Sequence, residues 1–207
     1  MNFTALFNNL SSALPATVAA AIIIFIVKEI FELVRRSKER RRKLNAIKLL
    51  LSEEIEKNHW SHTSLFRLLA QLKEVFEGHP NAEYRLHIAR NGSEHFRLKE
   101  DPDDSFESGQ WIPHFHDEQY KKLLPTLAEL DQSIFKTVNE TYAALAELSH
   151  YRDTLTAFLA GEDNSPDEDL TKAFLGDLAG NRDDYYRHLN CSYGALTGKK
   201  LEGWRLR

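Results

Sequence analysis

The stretch ALPATVAAAIIIFIVKEIFELVRRSKERRRK, residues 13–43, decides the architecture that we predict for this chain. Residues 1–27 contain no charged side chain. A helix that spans a bilayer needs about 20 mostly apolar residues, and Leu14–Val34 has that length. Three charged residues fall in its last two turns, where long side chains reach the headgroups: Lys28, Glu29 and Glu32. The sequence therefore predicts a single-pass membrane anchor in an N-terminal segment of residues 1–34.

A cluster of seven Lys and Arg residues, the basic segment, follows directly after the apolar run. Its members are Arg35, Arg36, Lys38, Arg40, Arg41, Arg42 and Lys43. By the positive-inside rule such a segment stays cytoplasmic, which leaves the N-terminus outside the plasma (inner) membrane. Each Lys or Arg near an anionic membrane surface gains about 1 kcal/mol. We therefore expect a bilayer with anionic headgroups to be one partner of the protein.

Two other interpretations of the apolar run compete with an anchor. A cleaved signal peptide would begin with positive charge and end with small residues, whereas residues 1–12 contain no Lys or Arg and the alanines precede the isoleucines. A buried helix of a soluble domain is disfavoured because Arg-rich sequence follows in the same helical register. Small residues repeat at intervals of four, as in Ala16 and Ala20, and such rows allow close approach of transmembrane helices. Self-association therefore stays open.

The composition of residues 44–207 limits the function classes. They carry 19 Lys and Arg against 28 Asp and Glu, a net charge of −9, and this balance disfavours nucleic-acid binding, which needs clustered cations. Cys191 is the single cysteine, so an intrachain disulfide and a thiolate metal cluster are excluded, as suits a reducing cytoplasm. The chain has no Gly-rich phosphate loop and no G-x-S-x-G elbow, and we expect no cofactor.

Helical periodicity dominates residues 44–193, for which we predict a mainly α, antiparallel three-helix cytoplasmic bundle or coiled coil. Apolar residues at steps of three and four run from Leu44 to Phe76, and Gly78 ends this helix. A second helix is predicted with Pro125 in its first turn and its end at Gly161. The third begins with a capping box of Ser165, Pro166 and Glu168, after an acidic loop. A basic tail is expected over residues 194–207.

A β-hairpin is predicted between the first two helices, at about residues 84–99. Alternating apolar residues flank Asn91–Gly92, a pair typical of a type I′ turn. Residues 100–110 are acidic and rich in turn formers, and we expect a surface loop there. Because loops on a rigid scaffold often carry function, we expect partner contacts at Arg90, Asn91, Gly92 and Trp111.

Polar residues on the first helix admit several interpretations. Asn58 and His62 lie on its apolar stripe, where buried polar residues can fix the register of a helical seam. His59 with His62, or His114 with His116 and Asp117, offer metal-ligand atoms, but neither spacing is a known zinc signature, and we expect no metal. Glu53 and Glu54 are expected to lie on a solvated face.

Two short segments resemble the motif of the HEPN ribonucleases, in which an Arg followed by a polar residue precedes a His by four to six intervening residues. They are RNGSEH, from Arg90 to His95, and RDDYYRH, from Arg182 to His188. The resemblance covers only these residues. It implies a helical domain in which the Arg binds the scissile phosphate and the His assists proton transfer, with Arg182 and His188 as the candidate pair.

The sequence as a whole predicts a single-pass, membrane-anchored cytoplasmic helical protein that acts as an interaction, scaffold or sensor module. Besides the bilayer, we expect another protein or a second copy of the chain as its partner. One alternative is a HEPN-like ribonuclease tethered to the membrane. The other is a membrane-perturbing effector that acts as an oligomer.

Overall fold

We describe the protein from a computed structural model, which describes residues 16–78, 83–99, 108–160, 176 and 180–203. The chain divides into two compact units, Met1–Ala46 and Ile47–Arg207. Within the described ranges the protein is mainly helical, with four helices and one three-stranded antiparallel sheet. These features confirm the predicted helical class.

Helix α1 spans Ala16–Gly78 and ends at the predicted glycine. Its first part, up to Ala46, belongs to the first unit, and its second part belongs to the second unit. From residue 16 onward, none of the described helices combines the length and the apolar character needed to cross a membrane. The predicted anchor begins at Leu14, outside the described residues.

The three-stranded sheet contains β1 (Glu83–Ile88), β2 (Glu94–Lys99) and β3 (Ser108–Trp111) in that order. The pairing of β1 with β2 confirms the predicted hairpin, but the turn differs from the prediction. The Gly92 N–H donates to the Ala89 carbonyl at 2.9 Å, and Gly92 has a φ of 80°. Arg90 and Asn91 therefore occupy the centre of the turn, and Gly92 follows in the left-handed region, as in three-residue hairpin connections.

Strand β3 replaces the end of the loop that we predicted over residues 100–110, of which residues 100–107 lie outside the description. Its sequence, SGQW, has little strand propensity of its own. Gly109 lies opposite Arg97 in the ladder, where a Cβ atom would stand 3.4 Å from the Phe96 carbonyl oxygen. The strand is thus formed by pairing with β2 rather than by local preference.

The predicted second helix is two helices, α2 (Glu118–Leu130) and α3 (Gln132–Leu159). Pro125 lies inside α2 and not in a first turn, contrary to the prediction. The break falls at Asp131, whose backbone is extended and whose carboxylate accepts a hydrogen bond from the Ile134 N–H at 3.0 Å. This side chain caps α3 and fixes its start.

Helix α4 spans Arg182–Thr197 and is capped by Gly198 at a φ of 72°. It continues past Gly194, at which we expected the basic tail to begin. The predicted capping box at residues 165–168 and the acidic loop before it lie outside the described residues.

Cross-helix hydrogen bonds give the directions of the helices in the second unit. His62 and Glu56 of α1 contact Arg182 and Tyr193 of α4, respectively, so α1 and α4 are antiparallel. Thr137 and Thr141 of α3 contact α4 in the same antiparallel sense, at Ser192 and His188. Helices α1 and α3 therefore run in the same direction, which corrects the prediction that the first two long helices are antiparallel. The irregular segment 112–117 and helix α2 connect the sheet to α3.

The core of the second unit lies between the apolar faces of α1, α3 and α4. It contains Ile55, Leu65, Val138, Leu148 and Leu189, each at most 1% exposed. Phe96 of β2, 2% exposed, adds the inner face of the sheet to this core. The spacing of three and four residues on each helix supplies these faces.

Candidate functional site

A row of buried polar residues on α1 forms hydrogen bonds with the irregular segment that precedes α2. Glu54, Asn58 and Ser61 lie at helical spacings of four and three, so they share one face. All three are at most 4% exposed. They bond to residues 114–120 and to Tyr142. The side chains of this row thus form hydrogen bonds with backbone groups that have no partner in a helix or a sheet.

Glu54 is the most heavily bonded of these residues. Its carboxylate accepts hydrogen bonds from the N–H groups of Gln119 and Tyr120, at 2.7 and 3.0 Å, and from the Tyr142 hydroxyl at 2.5 Å. A carboxylate at this position also favours the N-terminus of α2. The prediction that Glu54 is solvated is wrong; of the adjacent pair, only Glu53 is exposed.

Asn58 pairs with the backbone of His116 in both directions. Its amide nitrogen donates to the His116 carbonyl, and its amide oxygen accepts from the His116 N–H, both at 2.7 Å. The Ser61 hydroxyl donates to the His114 carbonyl at 2.6 Å. Asn58 is thus committed to a contact within this chain.

A second buried cluster joins the sheet to α3. Arg152 is 6% exposed, and its guanidinium forms an ion pair with Glu94 of β2. The same guanidinium donates to the Pro113 carbonyl at 3.3 Å and lies 3.2 Å from Nε2 of His114. Such a pair stabilises little in sum, but the loss of one partner strands a buried charge.

His114 and His116, which offer metal-ligand atoms in the sequence, lie in different surroundings. His114 lies beside Arg152, whereas His116 and Asp117 line a cavity of about 310 Å³ between α2 and α3. In that cavity the rings of Tyr120 and Tyr142 stack at 4.0 Å, and burial raises the pKa of both phenols. The described residues contain no group of three or more possible metal ligands.

His59 and His62 form an aromatic cluster with Tyr186 of α4. The ring centroids of His59 and Tyr186 are 5.5 Å apart. Nε2 of His62 donates to the Arg182 carbonyl at 3.1 Å, which leaves its Nδ1 unprotonated. That Nδ1 and the Nδ1 of His59 are buried and lack a hydrogen-bond partner among the described residues. Burial lowers the pKa of His62 to about 4 and also lowers the pKa of His59.

The residues predicted for partner contact lie on the surface of the sheet. Arg90, Asn91 and Gly92 are exposed at the tip of the hairpin. Trp111 is 39% exposed, and its ring lies 4.8 Å from the ring of Trp60 on α1. The tip and the tryptophan thus belong to one small sheet.

In neither HEPN-like segment do the Arg and the His lie on the same face of one helix or strand. Arg182 and His188 are six residues apart on α4, so their side chains leave the helix about 120° apart. Arg182 is exposed, whereas His188 is half-buried. In the other segment, Arg90 lies in the hairpin turn, and His95 contacts Ser93 at 3.1 Å.

The first part of α1 presents a different surface. Eleven large apolar side chains are each at least 40% exposed there: Val18, Ile22, Ile23, Ile24, Phe25, Ile26, Val27, Ile30, Phe31, Leu33 and Val34. All seven cations of the basic segment are exposed as well. Two of them have acidic neighbours on the helix, since Arg35 lies 3.3 Å from Glu39 and Arg36 lies 3.8 Å from Glu32.

Glu54 and Arg152 were not predicted to be buried, although the sequence contains a signal for both. Each lies on the apolar stripe of its helix, Glu54 three residues after Leu51 and Arg152 four residues after Leu148. A charged residue in phase with buried leucines indicates a buried, partnered charge. No family model, curated protein or solved structure matches this chain.

Proposed function

We propose that the protein is a single-pass membrane protein whose helical second unit acts as a protein-interaction module on the cytoplasmic side. One observation carries the proposal: the large apolar side chains of residues 18–34 are exposed to a degree that soluble proteins rarely allow in a contiguous surface. A lipid bilayer would cover such a segment, and the span that we propose, Leu14–Val34, begins two residues before the described helix in which no membrane span is found.

The angular distribution of these side chains favours a crossing helix over one that lies in the membrane surface. At about 100° per residue, the six consecutive apolar residues Ile22–Val27 leave no gap wider than about 100° around the helix. An interfacial helix would restrict its apolar residues to one face and its cations to the other. Here the apolar residues surround the axis.

The cations of the basic segment are also distributed around the whole helix axis. Its seven cations also leave no angular gap wider than about 100°, so they form a collar and not a stripe. A collar of Lys and Arg fits the level at which a helix leaves anionic headgroups on the cytoplasmic side. Glu32, beside Arg36, is an acid whose charge has a partner at the end of the span.

The proposed interaction role rests on how the polar residues of the second unit are bonded. Glu54, Asn58 and Arg152 bond to the backbone or to buried partners, so they build the scaffold. The hairpin tip and Trp111 are exposed and take no part in these contacts. Partner contact is therefore assigned to Arg90, Asn91, Gly92 and Trp111.

A pair of substitutions in the apolar segment tests the anchor. Ile23→Asp with Ile26→Asp adds roughly 5–7 kcal/mol to the cost of insertion, and full-length protein should leave the carbonate-resistant membrane fraction. The matched control, Ile23→Leu with Ile26→Leu, should stay in that fraction. Wild-type protein in the soluble fraction, or an Asp variant that stays in the membrane, would contradict the proposal.

A further inference from the structure

Two buried imidazole nitrogens lie on one face of helix α1. They are Nδ1 of His59 and Nδ1 of His62, and neither has a hydrogen-bond partner among the described residues. Residues three positions apart on a helix are neighbours, so the two rings share one environment. A buried nitrogen without a partner destabilises the fold, and a ligand that both nitrogens bind would remove this cost.

The hydrogen bond of His62 leaves its Nδ1 free to act as a ligand atom. Nε2 of His62 donates to the Arg182 carbonyl at 3.1 Å, so the lone pair of the neutral ring is on Nδ1. Metal-bound histidines usually donate their other N–H to a carbonyl or a carboxylate, which orients the ring and raises the basicity of the ligand nitrogen. His59 offers the same lone pair when its proton lies on Nε2.

The distance between the two rings suits a single ion bound between them. Their centroids are 6.4 Å apart and their planes differ by 20°. An ion about 2.0 Å from each nitrogen, in line with both, places the ring centroids roughly 6.3 Å apart. A bent arrangement with the same bond lengths would require a shorter separation. The two rings are therefore spaced for a two-coordinate ion of linear geometry.

The surroundings of the two nitrogens restrict the number of further ligands. The ring of His62 lies 4.7 Å from Phe66, and the ring of His59 lies 5.5 Å from Tyr186. The Tyr186 hydroxyl donates to the Leu201 carbonyl at 3.1 Å, and no third His, Cys, Asp or Glu of the described ranges completes the group. Zinc sites use three or four protein ligands, so this pair does not fit zinc. Monovalent copper binds two nitrogen donors in line, and its single charge costs less to bury than the charge of a divalent ion.

We propose that His59 and His62 form a two-coordinate binding site for monovalent copper. The proposal concerns the second unit alone and is independent of the interaction function. From the spacing of the two histidines, which is not a known zinc signature, we expected no metal. The shared burial of two lone pairs, which the sequence does not show, is the observation that leads to copper. Binding forms two Cu–N bonds and changes no oxidation state.

A second histidine pair provides a matched control. His87 and His95 lie opposite each other in strands β1 and β2, and their ring centroids are also 6.4 Å apart. Their planes differ by 53°, and Nε2 of His95 lies 3.1 Å from the Ser93 hydroxyl oxygen. His87 is exposed to solvent. We therefore expect this pair to bind copper more weakly than the pair on α1.

Copper binding to full-length protein in phosphatidylcholine nanodiscs, measured without oxygen and with ascorbate, tests the proposal. We expect a single copper ion per chain after gel filtration. His59→Gln and His62→Gln should each raise the dissociation constant by more than about tenfold, because each removes a ligand, and even altered outer-shell partners cost that much. His87→Gln with His95→Gln should bind copper as the wild type does. X-ray absorption spectroscopy of the wild type should show two nitrogen ligands in linear geometry.

Three results would overturn the proposal. One is the absence of stoichiometric copper in the wild-type protein. Another is an equal loss of binding in the sheet variant, which would assign the copper to His87 and His95. The third is a sulfur ligand in the absorption spectrum, which would assign the copper to a residue such as Cys191, exposed on α4. Circular dichroism verifies that each variant is folded, and the spectrum of the wild type tests the site without any variant.

Discussion

The two parts of helix α1 contain similar apolar residues, but these side chains are exposed in the first part and buried in the second. Ile24 and Phe31, in the first part, are 69% and 71% exposed, whereas Ile55 and Leu65, in the second part, are fully buried. Charge divides in the same way: the cations of the basic segment are exposed, while Glu54 is buried and fully bonded. The same helical spacing of apolar residues thus occurs in an exposed segment and in a packed core. The surroundings of each segment decide whether its apolar side chains are buried.

Removal of one arginine from each compact unit, Arg152 from the second and Arg35 from the first, should show the largest difference. Arg152→Ala strands the Glu94 carboxylate in a buried site, and we expect a loss of about 4 kcal/mol in the free energy of unfolding. Arg35→Ala removes one member of an exposed pair whose side chains are 70% and 62% exposed, and we expect a change below about 0.5 kcal/mol. Urea titration of detergent-solubilised protein, followed by tryptophan fluorescence, measures both.

The double variant Arg152→Met with Glu94→Leu serves as the control for the buried pair. Because it removes both charges, it should recover most of the lost stability. Equal losses in the free energy of unfolding for Arg152→Ala and Arg35→Ala would contradict the expected difference between the buried and the exposed arginine.

Truncation of one isoleucine in each part of α1 tests the difference in burial with the same chemical change. Ile55→Ala leaves a cavity beside the core, and we expect a cost of about 3 kcal/mol. Ile24→Ala should leave the unfolding of the second unit unchanged within about 0.5 kcal/mol, because its side chain is 69% exposed. A loss of stability from Ile24→Ala would show that its side chain packs against protein.

Acid should lower the stability of the second unit. The pKa of His62 is lowered from 6.5 to about 4 by burial, so its contribution is complete above about pH 6.5 and is lost as the pH falls toward 4. Between pH 7 and pH 5 the loss amounts to about 2 kcal/mol. His59, whose pKa is also lowered, acts in the same direction.

Unfolding titrations of wild-type protein and of His62→Gln at pH 7 and pH 5 test this prediction. The wild type should lose about 2 kcal/mol more than the variant over this interval. The same slope in both proteins would show that His62 is not the group responsible.

Local patterns in the sequence predicted the elements with strong periodicity. The extent of α1 to Gly78 follows from uninterrupted helical spacing, and the hairpin follows from alternation around Asn91–Gly92. What failed depended on contacts between distant residues. Strand β3 forms because β2 offers it pairing partners. The parallel direction of α1 and α3 depends on an irregular segment before α2 that Asn58 and Ser61 hold.

The break at Asp131 could have been predicted from its local sequence. A short acidic side chain in front of a new apolar repeat is a helix start signal, but the continuous leucine stripe on both sides concealed it. For the candidate site, the exposure of the hairpin tip follows from its loop sequence. The burial of Glu54 and Arg152 follows only from their position on the apolar face of a helix.

The most direct test of the anchor uses the single cysteine of the chain. Cys191 is exposed on α4, so a membrane-impermeant maleimide reports which side of the membrane the second unit occupies. Full-length protein should stay with the membrane after carbonate extraction, resist labelling in intact cells and be labelled in inside-out vesicles. Labelling in intact cells, or recovery of the protein in the soluble fraction, would contradict a single-pass anchor with a cytoplasmic interaction unit.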